Sequence, residues 1–309
     1  MDSRMTPSGF TATLGARWFG TTGDNAHIVD QMIAERSTKL SRHPMWPLLR
    51  PFLLRFLHYR QAVDMADTVA DMSGWDAMSY LSDLLSLDVT VDGLENLPRN
   101  EGFILAPTHP TGIPDGVAIF DVLKNVRPDM AIFANRDALR VANGLRDLII
   151  PVEWRQGEKS HAKSRDTLEM TARAFAANKA VVLFPSGRIA YWNEDVLTER
   201  PWQTSIVSLA RRYRYPVVPA RITARNSGLF YLLSKYSTEL RDMTIFHELL
   251  NKKGRAFSVT IGKPIALEAL DGEPAELAAQ LQQHTVHAIA ADRDAEFCSA
   301  PAAPGSRSS

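Results

Sequence analysis

The sequence THPTGIPDG sets His109 and Asp115 on either side of two prolines and a glycine, so the chain between them must turn sharply and with little freedom. Such a turn can hold an imidazole against a carboxylate. A carboxylate on one ring nitrogen fixes the tautomer and stabilises the imidazolium, leaving the other nitrogen to take a proton from an attacking hydroxyl. A His and Asp pair with no nucleophile of its own suits direct transfer to an acceptor. The same residues also fit a plainer arrangement, in which His109 is an ordinary loop histidine and Asp115 caps the helix that begins GVAIFDVL.

A second segment, VVLFPSGRIA, has the form of a buried strand that ends in Pro, Ser, Gly and Arg. Backbone amides freed around Ser186 and Gly187, together with the Arg188 guanidinium, would make a site for a phosphate or another anionic head group. The alternative is a strand-to-helix turn with a solvated arginine.

The elements that must carry these segments begin at Leu87, where β-rich runs start to alternate with helical ones. The strand candidates are LDVTVDGL, FILAPTH, MAIFAN, LIIPVEW, VVLFPSG, PVVPARITA and FSVTIGKPI. This alternation predicts an α/β fold, a mixed and largely buried sheet flanked by helices. Both chemical segments follow apolar strand candidates, and in open α/β sheets ligands collect beyond the carboxyl ends of strands. Residues 26–86 read as a helical region that includes AHIVDQMIAERSTKL and the stretch from Ala62 to Leu85. Residues 87–300 then form the catalytic domain, closed by a helix from about Pro274 to Phe297. Residues 1–25 and 301–309 read as poorly ordered ends.

Composition narrows the classes. Lys+Arg and Asp+Glu balance at 35 each, so there is no global basic excess of the kind that draws nucleic acid, and no nucleic-acid partner is expected. The single cysteine, Cys298, allows neither an internal disulfide nor a cysteine metal cluster. The first twenty residues lack the pattern of a secretory signal, and Arg50 and Arg55 interrupt the most hydrophobic stretch before it could span a bilayer. A cytoplasmic protein is the expectation.

Together these residues resemble the lysophospholipid acyltransferase superfamily, best known for its 1-acylglycerol-3-phosphate acyltransferases. The likeness is nearest to the hemolysin-like branch, which includes acyltransferases of ornithine-lipid synthesis. Common members place Asp one residue earlier, where Pro114 stands here, whereas the branch has the longer spacing in a form like HPLGGLDG, against HPTGIPDG. ANRDALR resembles the branch's Asn-Arg segment, and FPSGRIA resembles its FPAGEVS, which corresponds to FPEGTR in the wider family. Pro201 and Trp202, then YPVVPA, ARNSGLFY and IGKPI continue the likeness in order over residues 87–265. Ser186 replaces the wider family's motif glutamate and Ile189 its arginine.

The resemblance implies an acyltransferase of glycerolipid acyltransferase fold. His109 and Asp115 would be catalytic, and Arg136, Ser186, Gly187 and Arg188 would bind substrate. The donor would be a thioester, acyl-CoA or acyl-ACP, used as co-substrate without metal or other cofactor, and the acceptor a lysolipid-like hydroxyl. In MWPLLRPFLLRFLHY a helical projection gathers Leu48, Leu49, Phe52, Leu53, Phe56 and Leu57 on one face, with Arg50, Arg55 and His58 opposite. Such a segment suits peripheral contact with the inner face of the cell membrane, or equally packing on the catalytic domain; Pro51 would kink any helix running through it. Rival readings are a metal or serine hydrolase, disfavoured by the lack of HExxH and GxSxG, and a non-catalytic lipid-binding protein of the same fold.

Overall fold

A computed structural model describes residues 26–153 and 160–299. All seven predicted strands form, and they assemble into one sheet: β1 (Asp88–Asp92), β2 (Phe103–Pro107), β3 (Met130–Asn135), β4 (Ile149–Val152), β5 (Ala180–Val182), β8 (Val217–Thr223) and β9 (Ala256–Ile261). Two further short strands, β6 (Tyr191–Asn193) and β7 (Val196–Thr198), pair with each other as an antiparallel hairpin. The sheet order is β1-β9-β8-β2-β5-β3-β4. Every neighbouring pair is parallel except β8 and β9. The five strands from β8 to β4 therefore run in one direction and deliver the ends of β2, β3 and β5 to a single edge.

The sequence explains why these strands sit inside. FILAP in β2 and AVV in β5 are buried throughout, as continuous apolar runs covered on both faces must be. Alternate residues serve opposite faces. Ile104, Val181 and Val217 join one core with Phe175, Ile206, Val207, Leu277 and Leu281 from the helices His161–Ala176, Ser205–Tyr213 and Pro274–Gln283. Phe103 and Leu105, fully buried, point the other way. The helices Gly74–Leu85 and Ile113–Leu123 pack together, with Trp75 edge-on to Phe120 at 5.1 Å between centroids.

The described chain forms two compact units. The larger comprises residues 71–226 and 252–299 and contains the sheet; the smaller is helical and comprises residues 26–70 and 227–251. Thus the helix Gly74–Leu85 belongs with the sheet rather than with the helices before it, and the segment 227–251 joins the N-terminal helices. Inside the smaller unit the helix Trp46–Phe56 runs through Pro51. Leu54 within it and Leu57 just past its end are buried, and Arg50 is half-buried, its guanidinium meeting Asp30 at 2.9 Å. Asp30 also accepts the Tyr59 hydroxyl at 2.8 Å, which with burial pushes the phenol pKa above its ordinary value. The projected basic face therefore fails at Arg50, because an ion pair draws it inward; Leu48 and Arg55 are exposed. The side chains of Leu49, Phe52, Leu53 and Phe56 lie outside the described set.

Two other expectations change. The closing helix stops at Gln283, passes through a wider π turn at His284–Ala288 and ends at Ala291, well before Phe297. The stretch from Ala62 to Leu85 is two helices, Tyr59–Val69 and Gly74–Leu85, the second capped by the Ser73 hydroxyl, which accepts the Asp76 N–H. Residues 1–25 and 301–309 lie outside the described residues. Among the described residues, no helix is long and apolar enough to cross a membrane.

Candidate active site

His109 stands two residues past the end of β2. Thr108 anchors its approach: its N–H donates to Ala220 O at 3.0 Å and its hydroxyl accepts the Ile222 N–H at 2.9 Å, tying the chain to β8. The turn that follows needs Gly112, whose φ is +98°; a Cβ there would also stand 2.8 Å from Ile189 Cδ1. From this turn the helix Ile113–Leu123 starts, with Pro114 and Asp115 in its first turn.

Asp115 is fully buried and holds three donors: the Thr111 N–H at 2.8 Å, the Gly112 N–H at 2.9 Å and the Thr111 hydroxyl. It is therefore a helix cap. It is also the partner of His109, for its Oδ2 lies 3.0 Å from His109 Nδ1. The approach is close but oblique, short of an aligned hydrogen bond, and Nδ1 makes no other; such contacts commonly tighten only in the substrate complex. The two readings of this segment are thus one structure, in which backbone amides fix the carboxylate and the carboxylate faces the ring. The His109 ring packs on Phe184 at 4.4 Å between centroids, and the side chain keeps 18% of its surface exposed.

The loop after β5 lies against the same histidine. The Ala190 N–H donates to His109 O at 2.9 Å, closing that loop over the first. Gly187 adopts φ +61° in a turn whose N–H reaches Phe184 O at 3.0 Å, and no atom lies within 4 Å of where its Cβ would be. Gly187 and Arg188 are exposed. Ser186 turns inward and is buried, its hydroxyl donating to Arg188 O at 2.9 Å.

Arg136 reaches the same edge of the sheet after β3, but β5 separates it from β2. Its guanidinium meets Asp166 at 2.8 Å and donates to Lys163 O at 3.0 Å. The hydrogen bond from Arg136, with a second from Arg146, holds the Asp166 carboxyl below the usual range against the opposing effect of its burial. Hence the structure gathers His109, Asp115, Ser186, Gly187 and Arg188, while Arg136 is engaged with the helix His161–Ala176.

One neighbour of His109 has no signal in the sequence. Glu199, at the end of the β6–β7 hairpin, accepts the His109 backbone N–H with both oxygens, at 3.1 and 3.3 Å. It is buried, and burial pushes its carboxyl up while the His109 N–H draws it back. The residue lies one pair before Pro201 and Trp202, in a segment with no strand-like run of its own, so periodicity offered no reason to place it beside a histidine ninety residues earlier.

Residues 88–223 match a family model described as Acyltransferase, a span that runs from β1 to the end of β8 and holds every residue of the site. A lyso-glycine lipid O-acyltransferase of Phocaeicola vulgatus is 29% identical over 205 residues, 64% of this chain and 71% of that protein. One of the same name from Bacteroides thetaiotaomicron is 25% identical over 226 residues, 71% of this chain and 81% of that protein. Among solved structures, the 1-acyl-sn-glycerophosphate (LPA) acyltransferase PlsC of Thermotoga maritima aligns with a TM-score of 0.43 and 14% identity, over 92% of this chain and 95% of that one. Residues 88–223, which hold both motif loops and six of the seven sheet strands, thus match an acyltransferase domain, and this match together with the two relatives supports the lysophospholipid acyltransferase superfamily that the motifs resemble.

Proposed function

We propose that this acyltransferase moves a fatty acyl group from a thioester, acyl-CoA or acyl-ACP, to a hydroxyl of a lysolipid-like acceptor. His109 is the general base and Asp115 its positioning partner. Nε2 takes the acceptor hydroxyl proton as the oxygen attacks the thioester carbonyl carbon. The tetrahedral intermediate then expels the thiolate, which leaves as the thiol with the proton from His109, so the enzyme ends as it began. The observation that carries this reading is the fully buried Asp115, fixed by three donors with Oδ2 3.0 Å from Nδ1. A carboxylate serving only as a cap has no need of an imidazole at that distance.

Exposed Gly187 and Arg188 lie on the loop whose Phe184 ring and Ala190 N–H contact His109, and there they would hold an anionic acceptor group. Because the two bacterial relatives carry the name lyso-glycine lipid O-acyltransferase, an amino-acid-derived lysolipid is the first acceptor to offer. A membrane-borne acceptor would have the protein work as a peripheral enzyme on the cytoplasmic face, with exposed Met45, Leu48 and Arg55 of the smaller unit as candidate contacts. The test is incubation of the protein with labelled acyl-CoA or acyl-ACP and a panel of lysolipids. New diacylated lipid dependent on His109 supports the reading; acyl thioester hydrolysis alone would move it to a hydrolase.

A further inference from the structure

We infer that Glu199 is a second positioning residue of the site, a buried carboxylate that fixes the backbone of His109 and faces the positive charge this histidine takes up during transfer. The inference rests on the acyl-transfer reading and deepens it.

Three observations carry it. Glu199 accepts the backbone N–H of His109 itself, with both oxygens, at 3.1 and 3.3 Å. A carboxylate is a costly choice for that task, since burying a charge demands compensation that a neutral acceptor would not need. Burial does push the Glu199 carboxyl up, Asp115 pushes it further, and the charge of His109 is among the few influences drawing it back. Buried groups held in this uneasy balance cluster where a charge must be met during a reaction. Lastly, Glu199 is itself held from behind. Its carbonyl accepts the Gln282 side-chain N–H at 3.3 Å, and Gln282 in turn accepts the Trp202 N–H at 3.1 Å, tying it to the helix Pro274–Gln283. A base needs placement to a fraction of an ångström, which supports of this kind supply.

His109 thus sits between two buried carboxylates, Asp115 at its ring and Glu199 at its backbone. They come from separate segments of the chain, one from the helix that follows β2 and the other from the hairpin after β5. When Nε2 accepts the hydroxyl proton, the imidazolium has Asp115 at Nδ1 and Glu199 behind the main chain. The proton stays on the histidine until the thiolate takes it, and neither carboxylate bonds the substrate.

The test uses the full chain with Glu199→Gln, Glu199→Ala, Asp115→Asn and the Asp115→Asn/Glu199→Gln pair. Glu199→Gln should lose about 10- to 100-fold in kcat, the penalty for a misplaced base, with KM little changed. Because both carboxylates act through one histidine, the double variant should lose less than the product of the two single losses. Exchange of the His109 amide hydrogen provides a readout independent of activity: it should quicken by about tenfold or more in Glu199→Ala. Unaltered kcat in Glu199→Gln, a rise in KM with kcat kept, fully multiplicative losses, or an unchanged His109 exchange rate would each overturn the inference. If wild-type protein transferred no acyl group to any acceptor, the functional reading would fall instead, while the exchange measurement would still decide whether Glu199 holds His109.

Discussion

The loops after β2 and β5 leave the same edge of the sheet side by side, yet they are built in opposite ways. The first is over-determined: Thr108 is bonded to β8, Gly112 fits only without a side chain, and Asp115 is buried under three donors. The second opens outward, with Gly187 and Arg188 exposed and no atom near the Gly187 Cβ position. The difference separates two tasks. A base must be held at one point relative to the reacting atoms, whereas the grip on a head group gains from reach. Changes in the first loop should therefore act on kcat and stability, and changes in the second on KM.

The largest effect short of removing the base belongs to Asp115. Asp115→Asn should lower kcat by roughly 10²- to 10⁴-fold, as when an orienting carboxylate becomes an amide in a comparable site, and steady-state kinetics at saturating acceptor reads it. Gly112→Ala tests the rigidity of the same loop. It forces a side chain into positive φ and against Ile189, costing about 1–3 kcal/mol, so its thermal midpoint should fall by several degrees. For the open loop, Arg188→Ala should raise KM for an anionic acceptor by about tenfold, the worth of one charge-assisted hydrogen bond, while kcat holds within a few-fold. A kcat loss equal to that of Asp115→Asn would erase the contrast.

The smallest effect is expected at Arg136. Its substitution by Ala should spare kinetics and cost at most about 1 kcal/mol of stability, since the pair with Asp166 is partly solvated. The sign with pH follows from Asp166, whose carboxyl is held below its ordinary range chiefly by the Arg136 hydrogen bond. That contribution is present above the unfolded carboxylate range and is lost as pH falls through the folded one. The gap in melting temperature between wild type and Arg136→Ala should accordingly narrow in acid, which a pH series of thermal melts would show.

Much of this was legible in the sequence because strong local patterns coincided with what the fold needed. Seven apolar, β-branched runs became the seven strands of the sheet, and His109 and Asp115 needed only one turn to meet. What escaped depended on long-range contact. Glu199 pairs with a backbone group ninety residues away, and no residue type signals a backbone donor. The β6–β7 hairpin is three residues on each side, too short for alternation to show. The charge of Arg50 suggests a solvent face, but Asp30 on a separate helix gives that charge a buried partner. Arg136 sits in a block that resembles the family, and Asp166, thirty residues on, occupies its guanidinium.

The central claim is that His109 is the base for acyl transfer to a lysolipid hydroxyl. Its most direct test compares wild type with His109→Ala, using labelled acyl-CoA or acyl-ACP and amino-acid-derived and glycerol-based lysolipids, with the lipid products resolved. Wild type should form acylated product from at least one acceptor, and the variant should form it roughly 10²- to 10⁴-fold more slowly at an unchanged melting temperature. Equal rates in the two proteins, or no product from any acceptor in the wild type, would contradict the account.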